Sequence, residues 1–171
     1  MIALPECATS LHENASITKD LAKSEVENFS LQTLTELANI NSVYILVGSL
    51  PIKLEDKITN RSFLIGPNGK ILYRYDKIHL YDVNLPNGDV YRESETYSSG
   101  NKAVVGGIKE NKIKIGMTIC YDLRFPNLYQ DLAKNGAEII TVPSAFSNMT
   151  GPDHWHTLLK ARAIETGSFI I

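Results

Sequence analysis

The chain has 171 residues, 17 Lys plus Arg against 19 Asp plus Glu, and a formal net charge of −2. Hydrophobic residues make up 43% and charged residues 21%, which excludes a disordered chain, and no apolar run is long enough to span a bilayer. Near-neutral charge without a run of Lys or Arg argues against nucleic acid or a membrane surface as partner, because phosphate binding needs concentrated positive charge.

The length suggests one domain over residues 1–171. The opening Ile2, Ala3, Leu4 and Pro5 are too few for a whole strand, and the chain closes on Phe169, Ile170 and Ile171 with no turn residue behind them. Both ends are therefore expected to lie inside a longer domain. No signal peptide is visible at the start, so cytoplasm is the expected compartment.

Ser24 and Glu27 form a capping-box pattern, and Val26, Phe29, Leu34, Leu37 and Ala38 fall on one helical face, which predicts a first helix there. Val43 to Leu50 reads as a buried strand. Phe63 to Ile65 and Ile71 to Tyr75 flank Asn68-Gly69, a strong hairpin signal. Tyr81 to Gly100 lacks periodicity and reads as a long functional loop. A second hairpin is predicted from Ala103 to Ile108 and Lys112 to Ile119, turning at Glu110-Asn111. In its second strand Ile113, Ile115, Met117 and Ile119 share one face; Lys112, Lys114, Gly116, Thr118 and Cys120 share the other. Pro126 and Gly136 bracket a helix, Glu138 to Val142 reads as a buried strand, and Asp153 is expected to cap a helix running through Thr166. Its stripe is Trp155, Leu158, Leu159 and Ala163. The sum is a mixed α/β chain with helices packed on sheets.

Cys120 ends an apolar strand just before a helix, a geometry that exposes a nucleophile and whose helix N-terminus lowers a thiol pKa. The alternative is a buried structural thiol. Lys77 extends the apolar face of Ile71, Tyr73 and Tyr75, and Glu6 extends that of Ile2 and Leu4. A charged group there is either a solvated strand end or a paired, functional one. Taken together, carboxylate, ammonium and thiol make a candidate base, electrostatic clamp and nucleophile. Cys7, directly after Glu6, should point to the opposite face, and two cysteines are too few for a disulfide framework. His154 and His156 lack metal-ligand spacing, and His12 and His79 read as ordinary polar residues.

At these residues the sequence resembles the nitrilase superfamily of carbon-nitrogen hydrolases. The resemblance is carried by Leu4 to Glu6, by YDKIHLYDV at Tyr75 to Val83, by GMTICYDLRFP at Gly116 to Pro126 and by the stretch from Pro143 to Thr166. Within that superfamily, KIHLYDV, Arg92 to Ser94 and SAFSNMTGPDHW look most like the amidases that hydrolyse deaminated glutathione. The resemblance implies an αββα four-layer sandwich, here incomplete at both termini. It implies Glu6 as general base, Lys77 as the cation on the tetrahedral intermediate, Cys120 as the thioester-forming nucleophile, and Glu93 as a second glutamate holding Lys77. The backbone N–H of Tyr121 would complete the oxyanion site, and Phe146 and Thr150 would line the pocket. Asp122 and Arg124 would either brace the turn by a local salt bridge or, for Arg124, meet a substrate carboxylate. Arg162 would be an ion-pair partner, with Glu165 near it. No cofactor or metal is implied. The expected partners are a small amide and a second copy of the chain in a homodimer or larger homo-oligomer. Other branches of the superfamily, an ω-amidase or a carbamoyl-amide hydrolase, and an inactive fragment remain as alternatives.

Overall fold

Strict alternation in the central strands decides the layering. The computed structural model describes residues 1–9, 15–109 and 112–171; His12 and the Glu110-Asn111 turn lie outside them. In chain order the elements are β1 (Ile2–Ala3), α1 (Ala15–Leu21), α2 (Phe29–Ile40), β2 (Ile45–Leu54), β3 (Lys57–Ile65), β4 (Ile71–Asp76), β5 (Asp82–Asn84) and β6 (Val90–Arg92). They continue with β7 (Val104–Ile108), β8 (Ile113–Met117), α3 (Pro126–Lys134), β9 (Ile139–Thr141), α4 (Gly151–Thr166) and β10 (Phe169–Ile170).

One sheet runs β1-β2-β3-β4 and the other β10-β9-β8-β7, with β5 and β6 forming a small separate hairpin. Opposite Ile45, Leu46 and Val47 stand Ile65, Leu64 and Phe63. Because side chains alternate, Ile45, Val47, Phe63 and Ile65 pack with Leu31 and Ala38 of α2, while Leu46 and Leu64 pack with Ile115, Met117 and Ile119 of the second sheet. Ile140 and Val142 face outward onto Leu128, Tyr129 and Leu132 of α3 and Trp155, Leu158 and Leu159 of α4. The order is thus helices, sheet, sheet, helices, the αββα sandwich. Burying a large apolar side chain contributes roughly 1.5–3 kcal/mol, against about 0–1 kcal/mol for an exposed ion pair. The intersheet layer therefore holds the two halves together. No helix among the described residues is long and apolar enough to cross a membrane.

Several boundaries differ from those read in the sequence. Ser24 and Glu27 do bond reciprocally, but across an isolated turn. The helix starts later, capped by Asn28, whose Oδ1 accepts from Leu31 N–H at 3.0 Å. Val26 and Phe29 are left exposed at 82% and 79%. A register shift between Leu64 and Ile65 turns Ile71 toward α2, off the face it was expected to share with Tyr73 and Tyr75. The stretch from Tyr81 to Gly100 contains the β5–β6 hairpin and a 3-10 turn at Glu93–Glu95 rather than loop alone. The last helix starts right after Thr150, whose side chain makes no capping bond, and Asp153 lies inside its first turn.

Candidate active site

Glu6 reaches the sheet end because β2 is bulged between Val47 and Leu50, where the chain from Leu4 to Pro5 crosses Gly48. A Cβ on residue 48 would overlap the carbonyl oxygens of Leu4 and Pro5, so only glycine permits this approach. Within the bulge, Ser49 Oγ accepts the N–H of Cys7 at 3.0 Å, and Cys7 itself lies at a φ of +49°. On the neighbouring strands Arg61 stands directly opposite Asp76, joined to it through Nε and Nη2 at 2.7 and 2.8 Å. That bidentate pair fixes the register, and one residue along, Asn60 and Lys77 emerge together on the other face.

Lys77 Nζ lies 2.9 Å from Glu6 Oε1 and 3.1 and 2.9 Å from the two oxygens of Glu93. Glu93 arrives on the 3-10 turn after β6, and its Oε2 also accepts Tyr81 N–H at 2.6 Å. The segment carrying it is closed by Gly100 N–H donating to Lys77 O at 2.8 Å. The second oxygen of Glu6 accepts Ala145 N–H at 3.0 Å. Glu6, Lys77 and Cys120 are 8%, 2% and 8% exposed, and the charges of Glu6 and Lys77 both act on Cys120, so the three groups share one buried site.

Cys120 does not continue the strand. β8 stops at Met117, and Cys120 opens a 3-10 turn (Cys120–Arg124) at a φ of +45°. This left-handed conformation is costly for a non-glycine residue and is held by what surrounds it. The N–H of Cys120 donates to Pro143 O at 2.9 Å. Fully buried Asp122 accepts from Ile119 N–H at 2.8 Å, Tyr75 Oη–H at 2.7 Å, His79 N–H at 3.1 Å and His79 Nδ1 at 2.7 Å. These four bonds fill a carboxylate's acceptor capacity. They join the cysteine turn to the end of the lysine strand. His79, which reads as an ordinary polar residue in the sequence, is also stacked on Phe125 with ring centroids 3.7 Å apart. Asp122 makes no salt bridge with Arg124; its partner is His79.

Electrostatics sets the resting state. Burial raises the pKa of Glu6, but the Lys77 charge and hydrogen bonds from Lys77, Cys120 and Ala145 outweigh it, so Glu6 is held below the usual carboxylate value. Burial likewise opposes the charge of Lys77, yet the adjacent Glu6 and Glu93 carboxylates raise its pKa and keep it an ammonium. Burial and then the Glu6 charge push the Cys120 thiol upward. The expectation of a thiol acidified by a helix N-terminus is therefore corrected: burial and the neighbouring Glu6 carboxylate dominate and favour the neutral thiol of Cys120.

Arg124, Phe146 and Thr150 come together beside this site. Arg124 Nη2 is 3.4 Å from Thr150 Oγ1 and 3.1 Å from His154 Nδ1, and its guanidinium lies over the rings of Phe146 and Tyr121 at 5.4 and 5.8 Å. Phe146 also borders a hollow of about 420 Å³ with Ser144, Trp155 and His156. A larger hollow, about 650 Å³, lies along Leu72, Arg74, Lys102 and Val104 and touches none of Glu6, Lys77 or Cys120. Volume therefore does not locate the chemistry. Arg162 is buried, paired with Glu165 at 2.9 Å and bonded to Leu123 O at 3.0 Å, so it braces α4 on the cysteine turn. Among the described residues no group of three His, Cys, Asp or Glu could hold a metal ion. Asn60 lies in no motif read from the sequence; His79 and Asp122 lie in the stretches that carry the resemblance, but only their partners across the fold show what they hold.

The carbon-nitrogen hydrolase family model matches residues 1–171. A deaminated glutathione amidase of Yersinia enterocolitica is 41% identical, aligned over 100% of this chain and 60% of its own length. Omega-amidase NIT3 of Saccharomyces cerevisiae is 36% identical over 100% of this chain and 60% of its own length. The solved NitFhit protein of C. elegans superposes with a TM-score of 0.89 at 32% identity, covering 100% of this chain and 42% of that one. The chain thus spans about 60% of the length of the curated relatives it matches.

Proposed function

Because the chain belongs to the carbon-nitrogen hydrolase family, which matches it from end to end, we propose that it carries the catalytic set of an amidase acting through a cysteine thioester. The observation that carries this reading is the meeting of Glu6, Lys77 and Cys120 in one buried cluster, with Lys77 Nζ 2.9 Å from Glu6. Glu6 takes the Cys120 proton as Sγ attacks the amide carbon. The developing oxyanion is met by Lys77 and by the backbone N–H of Tyr121, donors fixed before the charge appears. The glutamic acid then returns its proton to the nitrogen as the C–N bond breaks, and ammonia leaves. Water, deprotonated by Glu6, attacks the thioester; as the C–S bond breaks Glu6 returns that proton to Sγ, and the acid product leaves as its carboxylate, giving up its own proton to solvent. Glu93 keeps Lys77 aimed throughout.

Deaminated glutathione is the leading substrate. The support is the 41% identity to an amidase of that name, together with Arg124 beside Thr150, a cation suited to a substrate carboxylate. An ω-amidase reading is favoured by the 36% identity to the yeast protein. Ammonia release from deaminated glutathione, α-ketoglutaramate and a simple aliphatic amide, compared as kcat/KM, tests the proposal. Preference for the simple amide overturns the substrate reading, and no release from any of them overturns the amidase. Assembly as a homodimer or larger homo-oligomer belongs to the same proposal and is checked by sedimentation.

A further inference from the structure

Asn60 touches all three charged residues of the cluster, yet no step of the proposed reaction uses it. Its Nδ2 donates to Glu6 Oε1 and to Glu93 Oε1, both at 3.1 Å, and its backbone oxygen accepts Lys77 N–H at 3.0 Å. A side-chain amide has two N–H donors, and here each is given to a different carboxylate. The reverse orientation would aim the amide oxygen at two negative charges, so the carboxylates themselves fix which end faces them. The outcome is that the oxygen, Oδ1, is buried without a partner, one of two such side-chain atoms among the described residues. A buried carbonyl without a protein partner costs free energy, so the orientation of this amide is set by the two carboxylates and not by the pairing of its oxygen.

We propose that Asn60 is a positioning residue of the site: a neutral bracket that holds Glu6 and Glu93 at a fixed separation around Lys77 and keeps Glu6 ionised and turned toward Cys120. The inference rests on the reading of Glu6 as general base. Two carboxylates around one ammonium carry a net negative charge, and a neutral double donor relieves their repulsion without competing for the substrate. Lys77 cannot do this alone, because an ammonium that must also face an oxyanion cannot fix both glutamates in orientation. The Arg61–Asp76 pair, one residue back on the opposite face, gives Asn60 its rigid footing.

The test compares Asn60→Ala and Asn60→Asp with the parent protein and with Glu6→Gln. Asn60→Ala should lower kcat on the order of 10²-fold through misplacement of the base, with KM little changed and the acid limb of kcat/KM moved to higher pH. Asn60→Asp keeps the shape but adds a third carboxylate, and should move that limb further. If Asn60→Ala does not fold, Asn60→Asp decides, with the pH dependence of Cys120 alkylation, followed by mass spectrometry, as a readout independent of turnover. Loss of thermal stability with an unmoved acid limb would make Asn60 purely structural and overturn the proposal. Retained activity in Glu6→Gln would instead overturn the base assignment on which it rests, so the two failures are distinguishable.

Discussion

The Glu6–Lys77–Glu93 cluster and the Arg124–Phe146–Thr150 rim lie side by side but are built differently. Within the cluster the contacts among Glu6, Asn60, Lys77 and Glu93 are 2.9 to 3.1 Å, their side chains contributed by four separate segments, and Lys77 is 2% exposed. At the rim the Arg124 contacts are 3.1 and 3.4 Å, and its other neighbours are aromatic faces. The cluster is preorganised at the cost of desolvating charge, which is tolerable only because each charge is paired. The rim keeps a cation with unspent hydrogen-bonding capacity. On the proposed function, the fold thus holds the catalytic groups tightly, while substrate choice would fall to a less committed surface.

Removing the nucleophile breaks the comparison most completely. Cys120→Ala should abolish turnover, a loss on the order of 10³-fold or more, because a residue acting within a unit has no substitute. Thermal unfolding should be little changed. Retention of a tenth of the activity in an ammonia-release assay, by the same principle, would remove Cys120 from the mechanism.

Disarming the cluster comes next. Lys77→Met and Glu6→Gln should each be nearly as damaging to kcat, and pairing either with Cys120→Ala should add little, since the groups work together. The two differ in stability. Lys77→Met leaves Glu6 and Glu93 buried beside one another, a cost of roughly 3–5 kcal/mol, so its denaturation midpoint should fall and partly recover as the pH is lowered and one carboxylate takes a proton. Glu6→Gln leaves the Lys77–Glu93 pair in place and should cost less than Lys77→Met, losing only what the ionised Glu6 contributes.

At the rim the effect should be smaller and selective. Arg124→Ala should raise KM for a carboxylate-bearing amide by about tenfold, the order expected for one charge-assisted hydrogen bond, and leave a neutral amide unaffected. Equal loss on both substrates would place Arg124 in the cluster's service instead.

The mildest perturbation is pH. Glu6 is held below its ordinary value of 4.5, so its contribution to stability is present above that pH and lost as pH falls through the depressed value. Lys77 is raised from 10.5; its contribution is complete below that value and lost only as pH rises past the elevated one. The kcat/KM profile should therefore stay flat from neutrality down to the ordinary carboxylate range, with its acid limb below. An acid limb near pH 6 would contradict an ionised, paired Glu6, because a carboxylate titrates there only when its charged form is disfavoured.

Much of this was readable because period and punctuation were strong. The alternation through Ile115, Met117 and Ile119 and the Asn68-Gly69 turn need no distant information; Lys77 and Glu6 stand out as charged groups continuing apolar faces, and Cys120 as a thiol ending an apolar strand just before a helix. What stayed hidden depended on pairings across the chain. Ile71 was assigned to the wrong face because a register shift leaves no mark on hydrophobicity. The strands at Asp82–Asn84 and Val90–Arg92 are three residues each, too short for a period to emerge. Asp122 and His79 are 43 residues apart and acquire meaning only when the two sheets bring them within 2.7 Å. The thiol was misjudged because the turn geometry is local, whereas the Glu6 charge that opposes ionisation comes from the other end of the sequence.

A nucleophile that rests protonated is also sheltered from oxidants. Peroxide attacks thiolates, so a cysteine whose ionisation is opposed by burial and an adjacent carboxylate enters the sulfenic acid ladder slowly. On the proposed mechanism, the Glu6 that takes the Cys120 proton during acyl transfer also opposes ionisation of the thiol between turnovers. Mass spectrometry after peroxide treatment at neutral pH should find Cys120 oxidised no faster than Cys7, whose thiol burial lifts to about 11; rapid, selective oxidation of Cys120 would mean that the resting site holds a thiolate after all.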